Sequence, residues 1–201
     1  AAGDLPASLA REMLAAEHAE VFRRNRCESV SGTGSSLQQT AALRQRLPLL
    51  LQHLDVRSLL DAPCGDRNWS RHLRLPAIDC TGAEMLTELV AAHREANRDP
   101  RWQFLAADLL ADALPRRDAV FCRDLLVHLS FAEIAAVLEN FRRTGARWLI
   151  TTTFTGERPN ADTAQGRWRT LNLQRPPFSF PPPLHLLNEG CTEDGGRHAD
   201  K

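Results

Sequence analysis

Three carboxylates each stand directly behind a short apolar run. Asp61 follows Ser58-Leu59-Leu60, Glu84 follows the run from Ile78 to Gly82, and Asp108 follows Trp102 to Ala107. In a parallel sheet, ligands meet side chains at such strand ends. Behind Asp61 comes Ala62-Pro63-Cys64-Gly65-Asp66. Gly65 lets a ligand approach the backbone closely, and the amides of a helix starting there attract polar groups. Glu84 lies about 20 residues further on, where a carboxylate accepts hydrogen bonds from both hydroxyls of a ribose. Three acids at successive strand ends suit a nucleoside without phosphate and repel a pyrophosphate. No G-x-G-x-x-G follows the first strand, so a nicotinamide dinucleotide is disfavoured. Read alone, Asp61 is equally a helix cap or a turn former.

Asp124 and His128 are four residues apart and share a face if their segment is helical. They read either as a base pair that takes a proton from an acceptor or as a structural hydrogen bond beneath the ligand. Trp168 and Arg169, in GRWRTLNLQ, and Phe178 read as walls of an acceptor pocket or as a packed loop. His53, His72 and His93 are expected to be surface or packing residues, and no metal site can be assembled from the sequence.

The elements that must position these residues follow from hydrophobic period. Residues 7–25 and 37–54 read as helices, with Pro48 breaking the second near Arg46 or starting a new turn. Between them, SVSGTGSS reads as a glycine-serine loop in which Ser35 or Ser36 caps the next helix. Strands are expected at 58–62, 78–82, 102–107, 119–122 and 147–154, with a doubtful sixth at 184–187. Met85, Leu86, Leu89, Val90 and His93 stripe one helix. Phe131, Ile134, Ala135, Leu138 and Phe141 stripe another, stopped by Gly145. One or two helical turns are expected at 68–73. Alternating strands and helices imply a mainly parallel α/β sheet. The irregular, proline-rich stretch from Asn160 to Pro183 is the length of loop that usually has a function.

The totals fit one domain with a real core: 201 residues, 43% of them hydrophobic. It divides into residues 1–57, helices and the SGTGSS loop, and a core over 58–201. The 25 basic and 25 acidic residues balance, which speaks against nucleic acid and anionic membranes as partners. No apolar run approaches the roughly 20 residues of a membrane span. Cys27, Cys64, Cys80, Cys122 and Cys191 are scattered and form no CxxC pair, so a reducing cytoplasm is expected.

Three segments together carry a resemblance: Glu28 to Ser36 (ESVSGTGSS), Asp61 to Trp69 (DAPCGDRNW) and Arg123 to Phe131 (RDLLVHLSF). From about Phe22 to Glu189 the chain resembles class I S-adenosylmethionine-dependent methyltransferases, and among them a bacterial group carrying SGxGSS, DAPCGDxNW and RDxLVHLSF. The resemblance implies a Rossmann-like fold with S-adenosyl-L-methionine as cofactor and S-adenosyl-L-homocysteine as product. By it, Asp61, Ala62, Pro63, Cys64, Gly65, Asn68 and Trp69 form the loop against the methionine part. Glu84 with Met85 holds the ribose, and Asp108 with Leu109 borders the adenine. Cys122, Arg123 and Asp124 line the methyl-transfer mouth, and Ser31, Gly32, Gly34 and Ser35 cover the methionine end.

The chain departs from the commoner DxGxGxG form. Cys64 stands at one glycine position and Arg67 at another, so either the Arg67 side chain points away or the loop differs slightly from that form. The fold usually has seven strands, the last an antiparallel insertion; the polar tail after Glu189 stands where that hairpin strand would begin, so the hairpin is expected to be incomplete or absent within these residues. Cys-Arg-Asp-Leu replaces the N-methylating tetrapeptide of Asn or Asp before Pro-Pro-Tyr. That leans toward O-methylation of a small molecule or a glycan. The alternative is a non-catalytic S-adenosylmethionine-binding scaffold or partner of another methyltransferase.

Overall fold

The computed structural model describes residues 28–75, 77–163 and 167–201. The helix expected over 7–25 and Cys27 lie outside them. Five strands form one sheet: β1 (Ser58–Asp61), β2 (Asp79–Glu84), β3 (Trp102–Ala106), β4 (Ala119–Cys122) and β5 (Trp148–Thr151). Their spatial order is β3-β2-β1-β4-β5, and every pairing is parallel. β1 therefore has β2 on one side and β4 on the other. The chain reverses its winding direction between β1 and β4, which opens a crevice beyond their carboxyl ends.

Strand alternation sends neighbouring side chains to opposite faces, and each face has its own core. Leu59 and Phe121 pack with Leu43, Leu47 and Leu51 of helix α1 (Ala41–His53). Leu60 and Val120 pack with Ile134, Val137 and Phe141 of helix α3 (Phe131–Arg143). Helix α2 (Thr87–Ala96) brings Val90 against Cys64 and Phe104 beside β3. Both faces of the central strands β1 and β4 are thus covered, which is why they read as apolar runs, whereas the edge strands β3 and β5 keep Gln103 and Leu149 exposed.

Pro48 does not break α1, which runs unbroken through it. An interior proline costs about 3 kcal/mol, but the neighbouring Leu47 and Leu51 are completely buried and contribute roughly 1.5–3 kcal/mol each. At α3, Ser130 and Glu133 form a reciprocal capping box. Ser130→Ala should lower unfolding free energy by about 1 kcal/mol, read from urea melts; an unchanged midpoint would show that the cap is redundant.

Two expectations about the secondary structure are corrected. No helix starts at Gly65; turns follow β1, and the helical turn expected within 68–73 is a 3₁₀ turn at Ser70–His72. Residues 184–187 form no strand: Leu184 is 78% and Leu186 57% exposed. Pro181, Pro182 and Pro183 precede the segment and cannot extend a ladder into it. Among the described residues β5 is thus an edge strand, bordered by a groove of about 410 Å³ lined by Leu43, Trp148, Ile150, Phe180 and Leu187.

Candidate active site

Two sequence-distant loops are knotted together at the carboxyl end of β1. The Asp66 carboxylate accepts hydrogen bonds from Ser29 Oγ (2.8 Å), the Val30 amide (2.9 Å) and the Asn68 amide (3.0 Å). Asn68 Nδ2 donates to Glu28 Oε1 (2.9 Å) and to the Ser35 carbonyl (3.1 Å). The two motifs ESVSGTGSS and DAPCGDRNW therefore form one structural unit. Within it the backbone of Gly65 is left-handed, at φ 54°. A Cβ there would lie 2.7 Å from Ser31 Oγ, so the first obstacle to a side chain is the covering loop. Arg67, also left-handed at φ 55°, turns its guanidinium over the Trp102 ring at 3.8 Å and away from the crevice.

The acids differ sharply in their surroundings. Asp61 is only 4% exposed, and no donor among the described residues hydrogen-bonds its carboxyl. Burial pushes its pKa up to about 7, partly offset by Arg67 and reinforced by Glu84. Glu84 is buried as well, but Oε1 accepts the amides of Met85 (2.8 Å) and Leu86 (3.1 Å), and Oε2 accepts that of Gly65 (3.1 Å). A carboxylate has about four acceptor sites. Three are taken, which leaves room for one further hydroxyl rather than two. Asp108 opens a turn in which its Oδ1 accepts the Leu110 amide (2.9 Å).

At the carboxyl end of β4, charges are buried together. Arg123 donates through Nε and Nη2 to Glu189 (3.0 and 2.7 Å) and through Nη2 to the Gly34 carbonyl (2.9 Å). Its Nη1 lies 3.0 Å from Asp124 Oδ2, the same oxygen that Lys201 Nζ reaches at 2.6 Å. Burial opposes ionisation of Asp124, but Arg123 and Lys201 outweigh it and hold the carboxyl below its ordinary value. Burial also opposes the charge on Arg123, yet Asp124 and Glu189 hold its pKa above the usual arginine range.

No protein-family model matches the chain, and no curated protein does. Solved structures do. The Burkholderia thailandensis 1,6-didemethyltoxoflavin-N1-methyltransferase, crystallised with 1,6-didemethyltoxoflavin and S-adenosylhomocysteine, aligns at TM-score 0.56 and 18% identity, over 86% of this chain and 76% of its own. The magnesium protoporphyrin IX methyltransferase of Synechocystis PCC 6803 with bound S-adenosylmethionine aligns at TM-score 0.51 and 16% identity, over 81% and 82%. The fold is the Rossmann-like methyltransferase fold.

Not every residue expected at the site of that fold is free to act there. Trp69 is buried edge-on to Phe121 at 5.8 Å, and Leu109 belongs to the core beneath α3. Cys64, Cys80 and Cys122 are buried thiols pushed up by burial, Cys80 to about 12. The condition that would align Asp124 with His128 is not met: Asp124 is left-handed at φ 56° and a 3₁₀ turn spans Leu126–His128. Held ionised, Asp124 is also a poor proton acceptor. Arg169 spends its donors on the carbonyls of Ala161 (3.0 Å), Leu126 (3.0 Å) and Leu129 (2.6 Å), so it braces the turn that carries His128 instead of facing an acceptor. Phe178 packs edge-on against Phe131 at 5.2 Å. Trp168 stays half exposed, edge-on to His198 (4.9 Å) and Phe154 (6.0 Å). Sequence reasoning missed Glu189, Glu193 and Lys201, which reach the site from far along the chain. The signal available for the last was composition: Lys201 is the only lysine among 25 basic residues.

Proposed function

We propose that this protein uses S-adenosyl-L-methionine to methylate a small molecule or a glycan, at oxygen. The observation that carries the reading is the Asp61 carboxyl, buried without a hydrogen-bond donor where β1 ends, beside a Glu84 with one acceptor site to spare. A buried carboxyl without a partner is costly. A ligand that is cationic at one end and carries a sugar hydroxyl answers both features, and the cofactor has both. When bound, it supplies an electrophilic methyl group on a sulfonium.

The chain's part is chiefly to bind, align and exclude water. Orientation of two reactants is worth up to about 7–11 kcal/mol in favourable cases. The loop from Ser31 to Ser35 and the β1 turn at Gly65 hold the methionine end, Glu84 takes one ribose hydroxyl, and Asp108 borders the adenine. Met85 flanks the sugar, and Asp124 shapes the mouth as a fixed charge. His128 receives the proton of an acceptor hydroxyl, a role worth about 10²- to 10⁴-fold. Cys-Arg-Asp-Leu at 122–125, in place of an Asn- or Asp-Pro-Pro-Tyr tetrapeptide, supports oxygen over nitrogen as acceptor.

One observation favours a second reading, a non-catalytic binder that serves another methyltransferase. The segment Glu189–Lys201 lies against the end of β4, where an acceptor must approach. Titration with S-adenosylmethionine and S-adenosylhomocysteine, then a methyl-acceptor screen, separates the two. Binding with no turnover on phenols, small hydroxylated molecules or sugars would favour the binder.

Glu84→Gln tests the ribose assignment. The substitution exchanges a charge-assisted hydrogen bond for a neutral one and turns an –NH2 toward either the Gly65 amide or the Met85 and Leu86 amides, a combined loss of about 1–3 kcal/mol, or roughly five- to 100-fold in affinity. Glu84→Ala is the poorer probe, because it also strips an acceptor from the Gly65, Met85 and Leu86 amides. Unchanged S-adenosylhomocysteine affinity in Glu84→Gln would remove Glu84 from the site.

A further inference from the structure

Lys201 is buried, its side chain 6% exposed, with the ammonium 2.6 Å from Asp124 Oδ2 and 3.4 Å from Glu189 Oε2. A lysine head is a compact point charge where an arginine head is a wide planar fork. It fits between two carboxylates already engaged by Arg123. Four charges packed together, Arg123 and Lys201 buried and Asp124 and Glu189 half-buried, are weak evidence for stability, since an apolar cluster of like volume often does as well. Their position at the ligand end of β4 points to a use.

The segment Glu189–Lys201 reaches both the covering loop and the carboxyl end of β4. Glu193 accepts from Thr33 Oγ1 (2.5 Å), and Thr192 exchanges two hydrogen bonds with the Gln39 side chain (2.9 and 3.1 Å). The Glu189 amide donates to the Lys201 carbonyl (3.1 Å), which closes the segment on itself. His198 lies edge-on to both Trp168 and Phe154. The covering loop is therefore not separately free. Gly34 is tied to Arg123, Thr33 to Glu193, and Gln39, just beyond the loop, to Thr192, so lifting the loop means releasing the segment.

We propose that Glu189–Lys201 is a strap over the carboxyl end of β4, and that Lys201 is the positioning residue that latches it to Asp124. The strap releases with the covering loop to admit the cofactor and closes again over its methionine end. Arg123 and Glu189 form the fixed half of the latch, Lys201 and Asp124 the half that opens. This inference rests on the cofactor reading above.

The single lysine gives the test a clean reporter. Peptide-resolved reductive dimethylation, with formaldehyde and cyanoborohydride, measures how fast Lys201 is labelled in the folded protein. A latched lysine is labelled at least about tenfold more slowly than in a free peptide of the same sequence, because labelling waits on local opening. Saturating S-adenosylhomocysteine slows it by at least a further factor of about five. Asp124→Asn restores fast labelling and lowers S-adenosylhomocysteine affinity. Labelling as fast as in the peptide overturns the latch whether or not the cofactor binds. Normal cofactor binding that leaves the labelling rate unchanged overturns the coupling of strap to cofactor. Slow labelling in a protein that binds neither S-adenosylmethionine nor S-adenosylhomocysteine overturns the cofactor role and, with it, the functional reading. The first two outcomes need only the wild-type protein, so they do not depend on Asp124→Asn folding.

Discussion

Asp61→Asn is expected to stabilise this protein at alkaline pH and, if the proposed cofactor reading holds, to bind S-adenosylhomocysteine more weakly than wild type. The folded-state pKa of Asp61 is raised by burial from an ordinary 3.8 to about 7. A raised carboxylate pKa means that the folded state holds a proton the unfolded state has lost. Wild-type stability therefore falls as pH rises from about 4 to about 7 and is flat above that. At about 1.4 kcal/mol per tenfold change, the full effect is at most about 4 kcal/mol. Asparagine does not titrate, so the variant escapes this loss. The variant also buries an amide without partners, but that cost is the same at every pH and drops out of the comparison. Between pH 5 and pH 8 the melting temperature of Asp61→Asn should therefore gain on wild type, by up to about 10 °C. A difference that stays constant over this range would show that Asp61 is ionised throughout. The binding half of the prediction runs the other way: a cationic ligand end loses its counter-charge, and affinity should fall at least about tenfold. Stability given up for a binding charge is the usual mark of a ligand site.

The sheet was legible in the sequence because it is parallel and its central strands are covered on both faces. Leu59–Leu60 of β1 and Ala119–Cys122 of β4 are short apolar runs with no polar alternation. The strand-end acids Asp61 and Glu84 could be found for the same reason: each interrupts such a run at its carboxyl end. Arg67 was legible in part, since a long side chain at a glycine position has to leave the crevice unless the loop differs, and Trp102 receives it. Residues 184–187 misled because leucines at alternate positions mimic a strand, whereas Leu184 and Leu186 face solvent and have no sheet to pack on. The Asp124–His128 spacing misled because it presupposed a helix, and the left-handed Asp124 turns the chain instead. Partners distant in sequence were not legible. Nothing near Asp66 announces Ser29 and Val30, and nothing near Asp124 announces Lys201, because such pairs are fixed by the completed fold and not by local periodicity.

Gly65→Val should remove cofactor binding altogether, for reasons separable by experiment. At φ 54° the residue sits in the left-handed region, where a β-branched side chain costs roughly 1–2 kcal/mol or more. The added Cβ also meets Ser31 Oγ at 2.7 Å, which forces the covering loop outward at a further cost of about 1–3 kcal/mol. The Gly65 amide bonds Glu84 and its carbonyl faces His93 Nε2 at 2.8 Å, so a shift here displaces the proposed ribose ligand too. Gly65→Val should lose S-adenosylhomocysteine affinity by more than about 100-fold and melt several degrees lower. Gly65→Ala, which has the clash but less backbone strain, should be intermediate. Removing the obstacle in Gly65→Ala with Ser31→Ala should recover about 1 kcal/mol of the loss. That recovery would identify the covering loop as the structure the glycine protects. If Gly65→Val binds S-adenosylhomocysteine normally, the β1 loop does not face the cofactor, and the assignment of the site to the carboxyl end of β1 fails.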